Sequence, residues 1–265
     1  MKVKKLKLAT LMVLLGSQTL LADQTEDIAK KLANPVAAMI SLPIQVNYSQ
    51  NIGLDDEGER WTTNIQPVIP FELNDDWNLI TRTIVPLVSQ AKTFSGVGKK
   101  NGVGDIIASA WASPKVPTES GWIWGAGPVF LIPTGSDVSA EKWGAGPTAI
   151  ALKQDGPWTY GGLANHIWST GGSDSMVKDI STTFMQPFVS YITPQAVTIG
   201  LSSETTYDWE NEQWFVPINV TVSDVGKIGN QLVSYGAGVS YVADGPDSAQ
   251  KGWGARFVLT FIFPK

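Results

Sequence analysis

The chain contains no cysteine and a single histidine, His166. Disulfides, thiol nucleophiles and thiolate metal sites are therefore unavailable. Charge is sparse, 16% of residues, and acids outnumber bases to give a formal balance of −5. An acidic chain without a basic patch does not suit nucleic acid, so no nucleic-acid partner is expected. After the N-terminus no apolar run reaches the ~20 residues that a transmembrane helix needs. What the chain has in quantity is aromatics: 11 Trp, 6 Tyr and 9 Phe. Many aromatics without a helical span fit a lipid-facing barrel with aromatic girdles.

The last strand carries the clearest pattern. From Ala255 to Phe263, Phe257, Leu259, Phe261 and Phe263 alternate with Arg256, Val258, Thr260 and Ile262. Period two is a β-strand with two different faces. A face of three Phe and a Leu makes an aggregation-prone edge in a soluble sheet. A barrel in an outer membrane turns that face to lipid, and pairing the last strand with the first removes the edge.

The N-terminus reads as a secretory signal peptide, residues 1–22. Lys2, Lys4, Lys5 and Lys7 precede the apolar run Leu8–Leu15, and Leu20-Leu21-Ala22 precedes the cleavage point. Removing those four Lys and no acid takes the balance from −5 to −9. Residues 23–40 are expected to hold the one helix. Ile28, Leu32, Val36 and Ile40 recur every four residues, with Glu26 and Asp27 ahead of Lys30 and Lys31 as the helix dipole favours. Pro35 ends or kinks it. Such a segment either caps the periplasmic mouth or enters the lumen.

Residues 41–265 read as about twelve antiparallel strands. Their links alternate between mostly long ones (Ser89–Val103, Pro133–Trp143, Ser169–Ile180) and short ones (Asn74-Asp75-Asp76, Gln154-Asp155-Gly156, Thr193-Pro194-Gln195). Short periplasmic turns and longer external loops are the outer-membrane pattern. Asp224–Gln231 is too long for this scheme, and Trp209–Glu212 too short. Polar and apolar residues alternate clearly in the first, ninth and tenth strands. In the fourth to sixth, Ala, Gly and Ile fall on both faces. Seven prolines (Pro67, Pro70, Pro86, Pro128, Pro147, Pro187 and Pro217) fall in or near strands. Each removes a ladder donor, which leaves a soluble two-sheet sandwich open as an alternative fold.

Trp124-Gly125-Ala126-Gly127-Pro128 recurs as Trp143-Gly144-Ala145-Gly146-Pro147. Asn64-Ile-Gln-Pro-Val-Ile-Pro70, Leu73-Asn-Asp-Asp-Trp-Asn-Leu-Ile80, Gly121-Trp-Ile-Trp-Gly-Ala-Gly-Pro128, Glu141-Lys-Trp-Gly-Ala-Gly-Pro147, Lys153-Gln-Asp-Gly-Pro-Trp-Thr-Tyr160, Asn165-His-Ile-Trp168, Thr206-Tyr-Asp-Trp-Glu210 and the Gly252–Lys265 end give a resemblance that covers nearly all of the chain after Ala33. The chain resembles the bacterial outer-membrane family named for the meta-pathway of phenol degradation, whose members are labelled transporters. The resemblance implies a β-barrel and passage of small solutes, aromatic or hydrophobic ones among them. It carries no established catalytic or binding residues.

Charges within strands mark the interior, because Arg or Lys facing lipid at mid-membrane costs ~2–4 kcal/mol. Arg82, Glu204 and Arg256 oppose apolar neighbours and are expected in the lumen, with Gln45, Asn47, Asn64, Gln66, Gln186 and Asn219 lining it. They would set charge selectivity in an open pore, or form a closed salt-bridge network in a structural barrel. A lipid hydrolase would need His166 beside a serine, but Ser169 lies three residues away, on the opposite strand face. The acidic clusters Asp55-Asp56-Glu57-Glu59 and Asp208-Glu210-Glu212 lack calcium-loop spacing. Gly96–Gly102 lacks the order of a phosphate loop and reads as a mobile external loop. The expectation is an all-β transmembrane barrel channel, not an enzyme, with no metal or cofactor. Its partners are outer-membrane lipid and lipopolysaccharide, small solutes and the barrel assembly machinery of a Gram-negative bacterium. A non-conducting structural barrel is the alternative, and an outer-membrane lipid hydrolase ranks below it.

Overall fold

A computed structural model describes residues 22–93, 98–172 and 179–263. Helix α1 (Ala22–Leu32) precedes fifteen strands: β1 (Ile40–Ile52), β2 (Gly58–Ile65), β3 (Val68–Glu72), β4 (Trp77–Ala91), β5 (Lys100–Val103), β6 (Ile106–Pro114), β7 (Trp122–Ile132), β8 (Lys142–Asp155), β9 (Trp158–Gly172), β10 (Ser181–Ile192), β11 (Thr198–Ser203), β12 (Thr205–Asp208), β13 (Gln213–Ile228), β14 (Gln231–Asp244) and β15 (Gly252–Phe263). Three pairs, β2/β3, β5/β6 and β11/β12, are single staves broken in the middle, so the wall has twelve staves.

The wall closes. β15 lies antiparallel to β1 from Ile40↔Phe263 to Tyr48↔Ala255, and every other neighbour in the ring is also antiparallel. A closed ring of one sheet replaces the two-sheet sandwich that the prolines had left open. It satisfies backbone groups without an edge, as a lipid-spanning sheet requires.

The prolines are accommodated where rungs are missing. Pro67 sits in the gap between β2 and β3, and its carbonyl accepts from Thr83 N–H (3.2 Å). Gly104, in the gap between β5 and β6, donates to the carbonyl of Pro86 (2.8 Å). Glu204, in the gap between β11 and β12, donates to the carbonyl of Pro217 (3.2 Å). On its other side the registers Phe188↔Ser202 and Met185↔Thr205 leave Gln186 and Pro187 opposite Glu204 and Ser203. Pro128 and Pro147 face each other across β7 and β8.

The repeated Trp-Gly-Ala-Gly-Pro motif has a packing reason. A β-carbon on Gly127 would collide with the Ala110 carbonyl, and one on Gly146 with the His166 carbonyl. Glycine lets β7 press on β6 and β8 on β9 at these points.

The two faces separate cleanly. Ten of the eleven Trp lie on the outer surface or its rims; Trp111 alone turns inward and is 1% exposed. The outer aromatics form two belts. Near the chain termini stand Trp77–Trp124, Trp122–Tyr160 and Trp158–Tyr191. At the far end stand Tyr48–Trp61, Tyr207–Trp214 and Tyr241–Trp253. Between them the surface is aliphatic and aromatic, with Ile199, Leu201, Val220, Val239 and Phe257 exposed. On β15 Phe257 and Phe263 face out and Thr260 and Ile262 are buried inside, as the alternation requires.

Several boundaries move. The helix stops at Leu32, short of Ile40, because Asn34 and Pro35 turn the chain: Val36 N–H donates to Asn34 Oδ1 (3.0 Å) and Ile40 already opens β1. The long link expected at Asp224–Gln231 shrinks to 229–230, since β13 and β14 pair out to Ile228↔Gln231. Lys100–Gly102, read as mobile loop, pair with β4 as part of β5. The leader lies outside the described residues apart from Ala22, and so do 94–97 and the final Pro264-Lys265.

Candidate functional site

The N-terminal segment occupies the lumen at the end that holds the chain termini. Glu26–Lys30 and Asp27–Lys31 pairs (2.8 and 2.7 Å) brace α1 along its length. Ala29 and Met39 pack with the inward side chains Ile192, Val225, Leu232 and Ile262. Gln154 Nε2 donates to the carbonyl of Lys30 (2.8 Å) and fixes the last turn to β8. Further in, Val36 joins Ile80, Trp111, Ile150, Leu152 and Leu163 on the wall made by β4, β6, β8 and β9. Fully burying such a side chain contributes ~1.5–3 kcal/mol.

Beyond this segment two cavities succeed one another. The first, about 340 Å³, is floored by Leu32, Asn34 and Met39 and walled by Gln45, Gln66, Arg82, Gln186, Glu204 and Arg256. The second, about 390 Å³, holds Asn47, Arg60, Glu204, Asn219, Gln250 and Arg256. Glu204 and Arg256 belong to both, so their ion pair is the partition between them.

That pair spans three stave intervals, from β15 across β14 and β13 to the gap between β11 and β12. Arg256 donates from Nη1 to Glu204 Oε1 (2.7 Å) and from Nη2 to Oε2 (2.9 Å). Its Nε donates to Asn47 Oδ1 (2.7 Å), and Gln45 Nε2 donates to the same oxygen (3.2 Å). A two-point guanidinium–carboxylate fork is among the strongest pairings a side chain makes. Here it is shielded, with the Arg256 side chain 11% and Glu204 26% exposed.

Arg82 stands apart. Its guanidinium lies over the Trp111 ring, Cζ 5.4 Å from the centroid. The indole is held by Nε1–H donating to Thr148 Oγ1 (3.2 Å), which in turn donates to the Ala164 carbonyl (3.2 Å). Arg82 feels the Glu204 charge but makes no ion pair with it, and its buried Nε has no acceptor among the described residues.

The remaining expected residues take definite places. Asn64 pairs in register with Gln45 and shares its inward face. Gln66 lies in the β2/β3 gap, where its N–H donates to the Pro43 carbonyl (2.9 Å). Asn219 is 1% exposed, and neither its Oδ1 nor its Nδ2 has a partner among the described residues. Arg60, which donates to Gln90 Oε1 (2.8 Å) in the outer cavity, and Trp111 were not singled out from sequence. The alternation of Arg60 with Trp61 and Glu59 carried the signal for the first. Trp111 lies in a strand with small and apolar residues on both faces, so nothing marked it.

His166 faces outward, next to Trp168 (centroids 4.1 Å), and shares a 2.7 Å hydrogen bond with Thr183 Oγ1. Ser169 Oγ instead donates to Asp179 (3.2 Å). The two do not meet as base and nucleophile. No cluster of potential metal ligands occurs among the described residues.

No family model matches the chain, and no curated protein matches it. Solved structures do. The chain is similar to the COG4313 outer membrane channel from Pseudomonas putida F1, with a TM-score of 0.67, 15% identity, and coverage of 85% of this chain and 96% of that one. It is also similar to the NanC porin, with a TM-score of 0.52, 9% identity, and coverage of 84% and 100%. At these identities the likeness is one of fold: the chain has the architecture of an outer-membrane β-barrel.

Proposed function

We propose that this protein is an outer-membrane channel of a Gram-negative bacterium, exported through a leader over residues 1–22, that passes small solutes through its lumen. The observation that carries the reading is the pair of cavities, about 340 and 390 Å³, which share the Arg256–Glu204 bridge as a common wall and are lined by polar side chains from opposite walls. The apolar belt between two aromatic girdles supports lipid contact all round, with lipopolysaccharide as its outer-leaflet neighbour and the barrel assembly machinery as the partner that inserts it. Its likeness in fold to a channel and a porin supports the same reading. The resemblance to the phenol meta-pathway family favours aromatic or hydrophobic solutes.

Arg82, Arg256 and Glu204 govern charge selectivity at the partition, and Gln45, Asn47, Asn64, Gln66, Gln186 and Asn219 supply the polar lining. The bridge and the inserted N-terminal segment equally favour a second reading, a closed barrel that conducts nothing. Planar-bilayer recording of the refolded protein, with uptake of aromatic and aliphatic solutes into liposomes, separates the two. Steps above background with solute entry are expected; neither in wild type or in Glu204→Ala would leave only the closed barrel.

A further inference from the structure

The charges in the inner cavity do not cancel. Glu204 is held at both oxygens by Arg256, and Lys31 on the floor is paired with Asp27 (2.7 Å). Arg82 is left with a full positive charge, an Nε without an acceptor, and a fixed aromatic platform beneath it. A shielded guanidinium with no anion is costly unless a ligand or water supplies one. We propose that Arg82 is a capture site for the carboxylate of a small monocarboxylic acid with an apolar body.

The chemistry follows from the surroundings. Arg82 presents a planar fork of donors that matches a carboxylate at two points. The single uncompensated charge matches one carboxylate; a dianion would remain under-neutralised and a cation would be repelled. The cation–π contact with Trp111, Cζ 5.4 Å from the ring centroid, restricts the guanidinium, so less is lost in ordering it when the anion arrives. The amides of Gln45, Gln66 and Gln186 offer donors around the site, while Val68, Val258 and Met39 give the same cavity an apolar wall for the rest of the molecule. At about 340 Å³ the cavity lies in the range of small-ligand sites.

The inference rests on the channel reading for its solute, but binding and passage are measured apart. Benzoate is the probe and benzyl alcohol its uncharged counterpart. Calorimetry on the detergent-solubilised full chain compares wild type, Arg82→Gln, Arg82→Lys and the external-loop control Lys92→Gln. Heat-modifiable gel migration confirms that each barrel is closed. Benzoate is expected to bind wild type and Lys92→Gln alike, and above benzyl alcohol. It should weaken about ten- to hundredfold in Arg82→Gln, the range of a lost charge-assisted fork, and less in Arg82→Lys. Equal benzoate binding to wild type and Arg82→Gln, or binding no better than the alcohol, overturns the site. Liposome flux of the same two probes then tests the channel. Arg82-dependent binding without flux keeps the site and sinks the channel; flux without Arg82-dependent binding does the reverse.

Discussion

The two halves of the barrel differ inside while matching outside. From β6 to β9 the inner wall is apolar and small: Val129 is buried, and Trp111, Ile123, Ile150, Leu152 and Leu163 cluster with Val36 of the inserted segment. From β11 round through β15 and β1 to β2 it is polar, with Ser202, Glu204, Asn219, Thr221, Arg256, Gln45, Asn47 and Asn64. One half therefore resembles a protein core and the other the wall of a polar cavity. Arg82 and Gln186 stand at the two seams between them. The contrast shows that a barrel need not be lined uniformly: near the chain termini α1 and Met39 pack on inward side chains of β10, β13, β14 and β15, while further in Val36 packs on the wall of β4, β6, β8 and β9 and the wall opposite it lines the polar cavities.

The sharpest break in this contrast comes from glycine. Gly146→Ala places a β-carbon against the His166 carbonyl, and β8 must part from β9. The expected cost is about 4 kcal/mol or more, read as loss of the heat-modifiable folded band. Gly200→Ala on the polar side meets only the Thr221 hydroxyl, at 2.9 Å, which can rotate; roughly 1 kcal/mol or less is expected. Equal losses in the two variants would abolish the distinction.

Truncation comes next. Trp111→Ala should cost about 3–5 kcal/mol in denaturant unfolding, the range for deleting a buried aromatic. Glu204→Gln should cost roughly 1–3 kcal/mol, the range for hydrogen bonds to a charged group. It should also shift the bilayer reversal potential toward anions, because Arg256 is freed to join Arg82. An unchanged potential would remove Glu204 from the selectivity of the passage.

The smallest effects lie at the far rim and have opposite signs in the two halves. On the apolar side Asp179 is held below the usual carboxylate range by the hydrogen bond from Lys142, by its charge and by Ser169. A lowered carboxyl pKa gives a contribution present above the unfolded value of about 4 and lost as pH falls through the folded one. On the polar side Lys251 is held above its usual range by the hydrogen bond to Asp56, with the charges of Asp56 and Asp247 adding. That contribution is complete below about 10.5 and fades as pH rises through the raised value. Exchange of the Ile180 amide, which donates to Ser169 Oγ (3.1 Å), should therefore quicken in acid beyond its intrinsic rate, and Asp179→Asn should erase that dependence. Exchange of the Lys251 amide, which donates to the Asn51 carbonyl (3.2 Å), should quicken only in alkali.

The same division explains how much could be read from the chain. Where the interior is polar, period-two alternation marks every face. There the outer and inner residues of β15, β11 and β13 and the inward placing of Arg82, Glu204 and Arg256 are legible. Where the interior is packed by Val36, both faces of the wall are apolar or small, and alternation vanishes in β6, β7 and β8. Trp111 was hidden for that reason. The partnership of Glu204 with Arg256, 52 positions apart, depends on ring closure and shear, which no local pattern encodes. The prolines argued against a barrel only because their positions opposite Gly104, Glu204 and one another follow from register.

The interrupted staves bear on mechanics. A tube resists ovalisation through its hoop of interstrand bonds, and this hoop is thinned at Gln66–Pro67, Gly104–Asp105 and Glu204. Lateral pressure from the bilayer will flatten the cylinder first along those lines. Two of them carry side chains of the inner cavity, Gln66 and Glu204, so flattening along those lines would change the shape of that cavity.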